Sequence, residues 1–480
     1  MDRALRRDLG TGPLLGAWAG VASLAASRAA PGFSASAAAA LAVPLALLPL
    51  AWWATAGASR WILAFLAAAL LLPPLPLPGG DAGPHPAIVL AGLGLWAGLL
   101  RLKAWSIRLN LLSGALLVFF GTLLLSLPWA ALYSGPQLAL GSLLRVGLFG
   151  ISVYLFFYLA DGPGRELSAE RLVRLWFWSG AGSAAFACLD FYFQFPAPAR
   201  FAAQFVWLPQ DVFRRAQGVF YEASTLGSIC VFLLVMTASI VALRMGPRLR
   251  LSRAWLLAGA VLFLTALVLS FSRAAMLNLV VALVLLWWLA RRGRRAARSK
   301  FRFGAAAIGC LAAGGAMVYW LVPDFLGAYL LRFWYSGQYL FSAPNLILSQ
   351  RLESWRFLLG YLGEHPWQAL FGIGYKTLPY SDVLGRPVIA DNMYLSLLIE
   401  TGWMGLAALL LLNLAVLRSC FRLAKTAGSD LQRLMGVWMF CFWAGLSVQM
   451  LSGDVLTYWR ILPAFFAALA IGARSEDPLS

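Results

Sequence analysis

The chain has 480 residues, of which 61% are hydrophobic and only 12% are charged, and its net charge is +19. A soluble globular domain carries about 25% charged residues, so this composition excludes a soluble protein and indicates one that lies in a membrane. The positive charge does not indicate nucleic-acid binding, because the Lys and Arg residues sit in short segments between apolar blocks and form no single basic face.

The apolar residues form blocks of about 17–25 residues, the length that a helix needs to cross the hydrocarbon core of a bilayer. In chain order, the blocks predict helices over 12–28, 34–56, 61–77, 86–102, 107–131, 137–160, 172–195, 217–243, 254–271, 274–290, 303–322, 393–416, 434–452 and 461–473. The predicted fold class is an all-α integral membrane protein with about 14 transmembrane helices. No long polar stretch separates them, so residues 1–480 are predicted to form a single polytopic membrane domain.

The segments between these helices alternate in charge. If the N-terminus is cytoplasmic, the cytoplasmic segments hold 26 of the 38 Lys and Arg residues, whereas 11 lie outside and Arg145 lies within a helix. Cytoplasmic segments of membrane proteins are enriched in Lys and Arg, so both termini are predicted to be cytoplasmic. Arg3, Arg6 and Arg7 precede the first apolar block and no small-residue cleavage site follows it, which predicts a retained first helix.

Two of the predicted outer segments are long, over residues 196–216 and 323–391. A long loop in a membrane protein whose other loops are short is often functional. Within the second one, apolar residues recur at helical spacing at Leu348, Leu352, Trp355, Leu359 and Leu362. The spacing predicts an amphipathic helix over 347–362, which lies along the outer membrane face or covers a cavity between the membrane helices.

The enrichment of cations on the cytoplasmic side should leave few of them in the outer segments, but eleven lie there. They are Arg28, Arg200, Arg214, Arg215, Arg273, Arg332, Arg351, Arg356, Lys376, Arg386 and Arg460. Arginine binds phosphate and carboxylate groups through paired hydrogen bonds, so the set indicates an anionic ligand on the outer face. The alternative for each of them is contact with lipid headgroups. Arg351 and Arg356 lie about 140° apart around a helix, so a straight helix cannot direct both into one pocket and one of them is structural.

Four acidic residues need an explanation because charge within a membrane is costly: Asp190, Glu222, Glu400 and Asp454. An ion pair with Arg214 or Arg215 is one explanation for Glu222. Asp454 lies near the last outer turn, where water can reach it. Glu400 lies in a helix beside two glycines, whose small size allows close helix packing.

Asp391 and Asn392 precede the helix that follows the long outer segment. One interpretation is that Asp391 or Asn392 is simply the N-cap of this helix. The other is that Asp391 is a general base, since a carboxylate at a helix mouth beside an arginine-rich loop is well placed to accept a proton. The residues alone leave both interpretations open.

Four segments resemble the motifs of a known family. The first two are Arg215-Ala-Gln-Gly218 with Phe220 and Glu222, and Phe271-Ser272-Arg273-Ala274. The other two are Ser349 to Trp355 with Gly372-Ile-Gly374, and Asp391-Asn392 with Tyr394, Glu400, Gly402 and Gly405. In order, spacing and side of the membrane, they resemble motifs of the bacterial O-antigen ligase and Wzy-type polysaccharide polymerase superfamily. The last segment is similar to the His-Asn…Glu-x-Gly-x-x-Gly block of that family. The resemblance covers residues 214–405.

The resemblance implies an inverting glycosyltransferase of the bacterial inner membrane, whose donor is an oligosaccharide on undecaprenyl pyrophosphate at the outer face. Arginines would stabilise the leaving pyrophosphate, and a base would accept the proton of the attacking hydroxyl. The catalytic residues are then expected to be Asp391, Arg351 and Arg273. The substrate-binding residues are expected to be Arg214, Arg215, Glu222, Arg356, Lys376, Asn392 and Tyr394.

The expected partners are the lipid-linked donor, a glycan or lipid acceptor, membrane lipid and a chain-length regulator. No metal-ligand spacing is present, and arginines can supply positive charge in place of a metal, so no metal or cofactor is predicted. The five cysteines, at Cys188, Cys230, Cys310, Cys420 and Cys441, form no disulfide or metal pattern and are predicted to be packing residues.

The ligases of this family have His at the position of Asp391. This departure makes a polymerase that joins oligosaccharide repeat units the expected subfamily, with an O-antigen ligase that transfers glycan to lipid A–core as the alternative. Two other classes are a transporter of lipid-linked oligosaccharide and a non-enzymatic scaffold for envelope assembly. Transporters are often built from related halves, whereas this chain has no internal repeat, and the outer cations beside a candidate base disfavour a scaffold.

Overall fold

Apart from isolated positions between 309 and 342, the computed structural model describes residues 56–75, 84–198, 201–207, 212–291 and 351–474. The predicted helix over 12–28 lies outside the described residues, as do almost all of that over 34–56 and most of that over 303–322. The described part is largely α-helical, in agreement with the predicted class.

The helices of the described part are α1 (Arg60–Leu71), α2 (Pro86–Leu99), α3 (Leu111–Leu125), α4 (Leu127–Ser134), α5 (Pro136–Ala160), α6 (Ala169–Phe193), α7 (Ala223–Leu243), α8 (Arg253–Leu269), α9 (Arg273–Arg291), α10 (Arg351–Glu364), α11 (Pro366–Phe371), α12 (Met393–Thr426), α13 (Asp430–Gln449) and α14 (Leu462–Ala473). Two short strands, β1 (Phe205–Trp207) and β2 (Val212–Arg214), pair antiparallel between α6 and α7. The apolar pattern did not predict these strands.

Seven helical segments of the described part are long and apolar enough to cross a membrane. They are Leu111–Ser134, Pro136–Ala160, Ala169–Phe193, Ala223–Leu243, Arg273–Ala290, Met393–Thr426 and Asp430–Ser452. Four shorter helices, α1, α2, α8 and α14, are also apolar. A multi-pass membrane protein is therefore confirmed, while the total of about 14 spans stays a prediction.

One predicted helix begins later than predicted, and another is described only from its second turn onward. The helix predicted over 217–243 begins at Ala223, because Tyr221 adopts a left-handed φ of 55° after a single 3-10 turn at Gly218–Phe220. The amphipathic helix predicted over 347–362 is described from Arg351, as α10, and it ends at Glu364.

Two helices also end at unexpected positions. The helix predicted over 61–77 ends at Leu71, since prolines follow at positions 73 and 74 and restrict the preceding backbone to extended conformations. The helix predicted over 393–416 continues to Thr426, so the basic segment after position 416 is helical for three more turns.

Contacts between loops define the two ends of the helix bundle. At one end, Arg460 donates hydrogen bonds to the carbonyl oxygens of Leu72 and Val219. At the other end, Arg474 donates to the carbonyl oxygens of Gly164 and Leu167. The first contacts join segments that the charge pattern predicts to be outside, and the second join segments predicted to be cytoplasmic. We call these the Arg460 end and the Arg474 end.

Helix α13 packs against α7, α9, α12 and α14 and joins them through buried polar side chains. Trp443 Nε1 donates to Asn413 Oδ1 of α12 at 2.9 Å. Gln449 accepts a hydrogen bond from Asn278 of α9 at 2.9 Å and donates to Ser228 of α7 at 2.8 Å. Hydrogen bonds of this kind hold helices together where no water competes for the polar groups.

The predicted orientation can be tested with one cysteine at each end. Asp382 is exposed in the long outer segment, and Gly428 is exposed between α12 and α13 at the Arg474 end. With an impermeant thiol reagent on spheroplasts, Asp382→Cys is expected to be labelled in intact cells and Gly428→Cys only after permeabilisation. The parent protein is the control, since its described cysteines are buried. The reverse pattern would place both termini outside.

Candidate functional site

Helix α12 is broken at Gly402, whose φ of 69° lies outside the helical region. The break exposes carbonyl oxygens of the helix, and the turn at Gly372–Gly374 occupies them, with the N–H of Gly374 donating to Glu400 O at 2.8 Å. A Cβ on Gly402 would lie 2.1 Å from Leu370 O. Glycine is therefore required where this turn meets the helix, which explains the glycines of two motif segments.

A side chain at this junction is expected to disrupt it. Gly402→Ala combines a positive φ with a backbone clash, so we expect a loss of more than about 2 kcal/mol of stability and a low yield of folded protein. Gly363→Ala is the matched control, because a Cβ there has nothing within 4 Å. Equal thermal stability of the two variants in detergent would contradict the requirement for glycine at Gly402.

The Glu400 side chain is enclosed by the turn that follows Gly374. Its Oε1 accepts a hydrogen bond from the N–H of Leu378 at 3.3 Å. Its Oε2 is buried and has no hydrogen-bond partner among the described residues. Glu400 thus fastens the turn to α12 and places a negative charge beside Lys376.

Lys376, expected to bind substrate, is only 9% exposed and forms an ion pair with Asp454. Asp454 also accepts a hydrogen bond from Ser396 Oγ at 3.0 Å, and Arg145 donates to the carbonyl of Lys376 at 2.8 Å. Burial alone would lower the pKa of Lys376, but the negative charges of Asp454 and Glu400 outweigh it and raise that pKa. The ammonium group therefore stays charged and is engaged by the protein.

Arg351 and Asp391 form the central ion pair of the site. Arg351 Nη2 lies 2.9 Å from Asp391 Oδ2, and Nη1 donates to Ser452 Oγ at 2.8 Å. Trp355, one turn later in α10, donates to Ala390 O at 2.7 Å and so ties this helix to the residue before Asp391. The side chain of Asp391 is 48% exposed and that of Arg351 is 24% exposed, so the carboxylate faces open space while the guanidinium is held.

Asn392, expected to bind substrate, is the N-cap of α12. Its Oδ1 accepts hydrogen bonds from the N–H groups of Tyr394 at 3.1 Å and Leu395 at 3.2 Å. Asp391 makes no such cap, since it adopts a φ of 45° one residue earlier and directs its carboxylate to Arg351. Of the two interpretations of this pair, capping therefore belongs to Asn392, and Asp391 is left available for another role.

Arg214 lies in a separate ion pair at the same end of the bundle. Its Nη2 lies 3.3 Å from Asp190 Oδ1 and donates to Phe195 O at 3.0 Å. The other oxygen of Asp190 accepts the N–H of Gly218 at 3.1 Å. An ion pair of Arg214 with Glu222 is therefore not formed, and Asp190 is explained by its role in holding the β2–α7 connection.

Arg215 and Arg273 lie at the same turn. Arg215 Nε donates to Ser270 O at 2.8 Å, and the next residue, Ala216, donates its N–H to Leu269 O at 2.9 Å. These bonds attach the segment before α7 to the α8–α9 turn, and Arg273 is the first residue of α9. Two motif segments that are remote in sequence therefore adjoin at the α8–α9 turn.

Glu222 shares its surroundings with the acids of the site. Thr225 Oγ1 donates to Glu222 Oε2 at 2.6 Å. Burial raises the pKa of the Glu222 carboxyl; the Thr225 hydrogen bond and the charge of Arg215 oppose this, and the negative charges of Asp391 and Asp454 reinforce it. Glu222 is therefore within electrostatic reach of Arg215, Asp391 and Asp454.

Two of the expected substrate-binding residues lie elsewhere. Arg356 is exposed on α10 and does not share the position of Arg351, as expected from their angular separation. Tyr394 lies between α12 and α13, where its hydroxyl donates to Ser447 O at 2.8 Å and contacts Asn413 Nδ2 at 3.4 Å. Tyr394 therefore contributes to the packing of α12 against α13.

The segment between α13 and α14 joins the two ion pairs. Ser452 contacts Arg351, and Asp454, two residues later, contacts Lys376. No motif included this segment, and the signal that could have found it was the pair of charges at Asp454 and Arg460 around the last outer turn. Among the described residues, no group of three or more His, Cys, Asp or Glu side chains is arranged to hold a metal ion.

Residues 258–410 match the family model described as Wzy_C: O-Antigen ligase. This range contains three of the four segments that carry the resemblance, including Arg273, Arg351 and Asp391, while the Arg215–Glu222 segment precedes it. The match confirms the resemblance to the O-antigen ligase and Wzy superfamily. No curated protein matches the chain.

Proposed function

Because the chain carries the O-antigen ligase domain over residues 258–410 in a multi-pass membrane protein, we propose that it is a glycosyltransferase of bacterial surface polysaccharide assembly. More specifically, it polymerises oligosaccharide repeat units carried on undecaprenyl pyrophosphate, at the outer face of the inner membrane. The observation that carries the proposal is the ion pair of Arg351 with the half-exposed Asp391, at the end of the bundle where Arg215 and Arg273 also lie.

The reaction is a single displacement. A hydroxyl oxygen of the acceptor forms a bond to the anomeric carbon of the donor while the bond from that carbon to the pyrophosphate oxygen breaks. Asp391 accepts the hydroxyl proton, and the pyrophosphate leaves with the electron pair of the broken bond. Attack opposite the leaving group inverts the configuration at the anomeric carbon, and neither a nucleotide nor a metal takes part in any of these steps.

The arginines act on the leaving group. Negative charge accumulates on the pyrophosphate as the bond breaks, and guanidinium groups placed in advance stabilise that charge without having to reorganise. Arg351 is held by its bond to Ser452, and Trp355 of the same helix bonds to Ala390, so Arg351 and Asp391 are kept in a defined relation. Arg215 and Arg273 belong to two other motif segments, which adjoin at the α8–α9 turn. We infer that the donor lies between this turn and α10.

Lys376 supports this arrangement indirectly, through the segment between α13 and α14. Its ion pair with Asp454 fixes the segment that also carries Ser452, so Lys376 positions Arg351 through the protein and does not need to touch substrate. Glu222, beside Arg215, is placed to accept hydrogen bonds from sugar hydroxyls.

The polymerase assignment is tested by the product. Purified protein in proteoliposomes, supplied only with lipid-linked repeat units, is expected to form a ladder of longer lipid-linked chains with one undecaprenyl pyrophosphate released per new bond. A reaction that proceeds only after lipid A–core is added would make the protein an O-antigen ligase. If intact lipid-linked units cross the bilayer and no pyrophosphate is released, the protein is a transporter.

A further inference from the structure

We propose that a cavity at the Arg474 end of the bundle binds an anionic phospholipid. The cavity has a volume of about 530 Å³ and is formed by α12, α13 and α14 with the beginning of α3. The residues that line it include none of those assigned above to glycosyl transfer. It is therefore a second site, and it does not depend on the proposed reaction.

One wall of the cavity is cationic. Arg418 and Arg422 both line it, and both are exposed. Because α12 continues to Thr426, the two residues are one helical turn apart on the same face. Two guanidinium groups at this spacing can bind the oxygens of a single phosphate.

Another wall of the cavity is apolar. Leu111 of α3, which is 48% exposed, and the partly exposed Leu423 of α12 line it, together with the buried Met435 and Met439 of α13. Methionine side chains adapt to irregular hydrocarbon. A small soluble anion gains nothing from this wall, whereas an acyl chain attached to a phosphate can bury itself there. The two walls together select an amphiphile with an anionic head.

The surrounding charge favours a lipid over a segment of this chain. Arg474 also lines the cavity, but its guanidinium is engaged by the carbonyl oxygens of Leu159, Gly164 and Leu167, so it contributes positive charge only. The segment over 291–302, predicted at this end, carries seven cations and is repelled by Arg418 and Arg422. Residues 475–480 carry Glu476 and Asp477, but Leu479 is their only large apolar side chain, so they do not match the apolar wall. An anionic lipid supplies both the charge and the hydrocarbon, and its headgroup is attracted to basic pockets between membrane helices.

The test compares lipid binding by the purified full chain in native mass spectrometry. The wild type is expected to retain phosphatidylglycerol more strongly than phosphatidylcholine. Arg418→Gln with Arg422→Gln should weaken phosphatidylglycerol binding roughly 30-fold, about fivefold for each arginine, whereas the double Lys variant should keep most of it. The matched control is Arg171→Gln with Arg253→Gln, two exposed arginines of the same end that do not line the cavity.

Three results would overturn the proposal. Equal retention of the two phospholipids by the wild type would remove the role of charge, and this comparison does not depend on any variant folding. An equal loss in the control pair would reduce the effect to the general attraction of a basic surface for anionic lipid. Displacement of phosphatidylglycerol by millimolar inorganic phosphate would show a small-anion site in which the apolar wall has no part.

Discussion

Asp391→Asn is expected to be produced and folded like the parent protein but to transfer glycan more slowly by a factor of roughly 10²–10⁴. An amide cannot accept the proton of the attacking hydroxyl, so the base is lost. The start of α12 is preserved, because Asn392 and not Asp391 caps that helix. The substitution therefore separates catalysis from helix capping, and it is measured as the rate of chain extension by purified protein together with the thermal unfolding curve.

The control for this variant is Asp382→Asn, which removes the same charge from an exposed carboxylate of the same outer segment. It should leave the rate within about twofold of the parent, since surface charges away from the site have small effects. A fully active Asp391→Asn protein would assign Asp391 a purely structural role beside Arg351. The base would then have to be sought among the other acids of the site, Glu222 and Asp454.

Arg351→Ala is expected to lower glycosyl transfer by roughly 10- to 150-fold, the effect of losing about 1.5–3 kcal/mol from one charge-assisted contact. The loss would be larger if the contact forms mainly in the transition state. The variant removes the ion pair to Asp391 and the hydrogen bond to Ser452 as well as the expected contact with pyrophosphate. Arg215→Ala and Arg273→Ala are expected to act in the same direction, because both arginines lie at the α8–α9 turn.

Arg356→Ala is the matched control for Arg351→Ala. It lies on the same helix, five residues later, and is exposed, so its loss should leave transfer near the parent level. The rates are compared at equal amounts of folded protein in proteoliposomes. If the Arg351, Arg215 and Arg273 variants all remain near parental activity, the pyrophosphate is bound elsewhere.

The membrane helices were predictable because their signal is local. Apolar blocks of sufficient length predicted each of the seven described spans. The alternating charge of the connecting segments divided these segments into two groups, and the structure places contacts of the two groups at opposite ends of the bundle. The break at Gly402 was not predictable in this way. It depends on a turn thirty residues earlier in the chain occupying the carbonyl oxygens that the break exposes, and an apolar pattern carries no information on such a partner.

The candidate site was predictable only where a motif marked it. Arg351, Asp391 and Arg273 stand in segments that resemble a family, and the first two of them are in contact. The partners of Lys376 and Arg214 were not predictable, because Asp454 is 78 residues from Lys376 and Asp190 is 24 residues from Arg214. Arginine and lysine in an outer loop are equally suited to a ligand and to a buried acid, and only the fold decides between them.

The most direct test of the proposed chemistry is the release of undecaprenyl pyrophosphate in a single turnover, measured side by side for the parent and for Asp391→Asn. The lipid-linked donor, an acceptor and a chelator are the only additions, with no nucleotide sugar. The parent is expected to release one undecaprenyl pyrophosphate for each glycosidic bond formed, and the variant to release it at a rate lower by roughly 10²–10⁴. Equal release by the two proteins, or bond formation by the parent only when a metal ion or nucleotide sugar is supplied, would contradict a displacement in which Asp391 is the base.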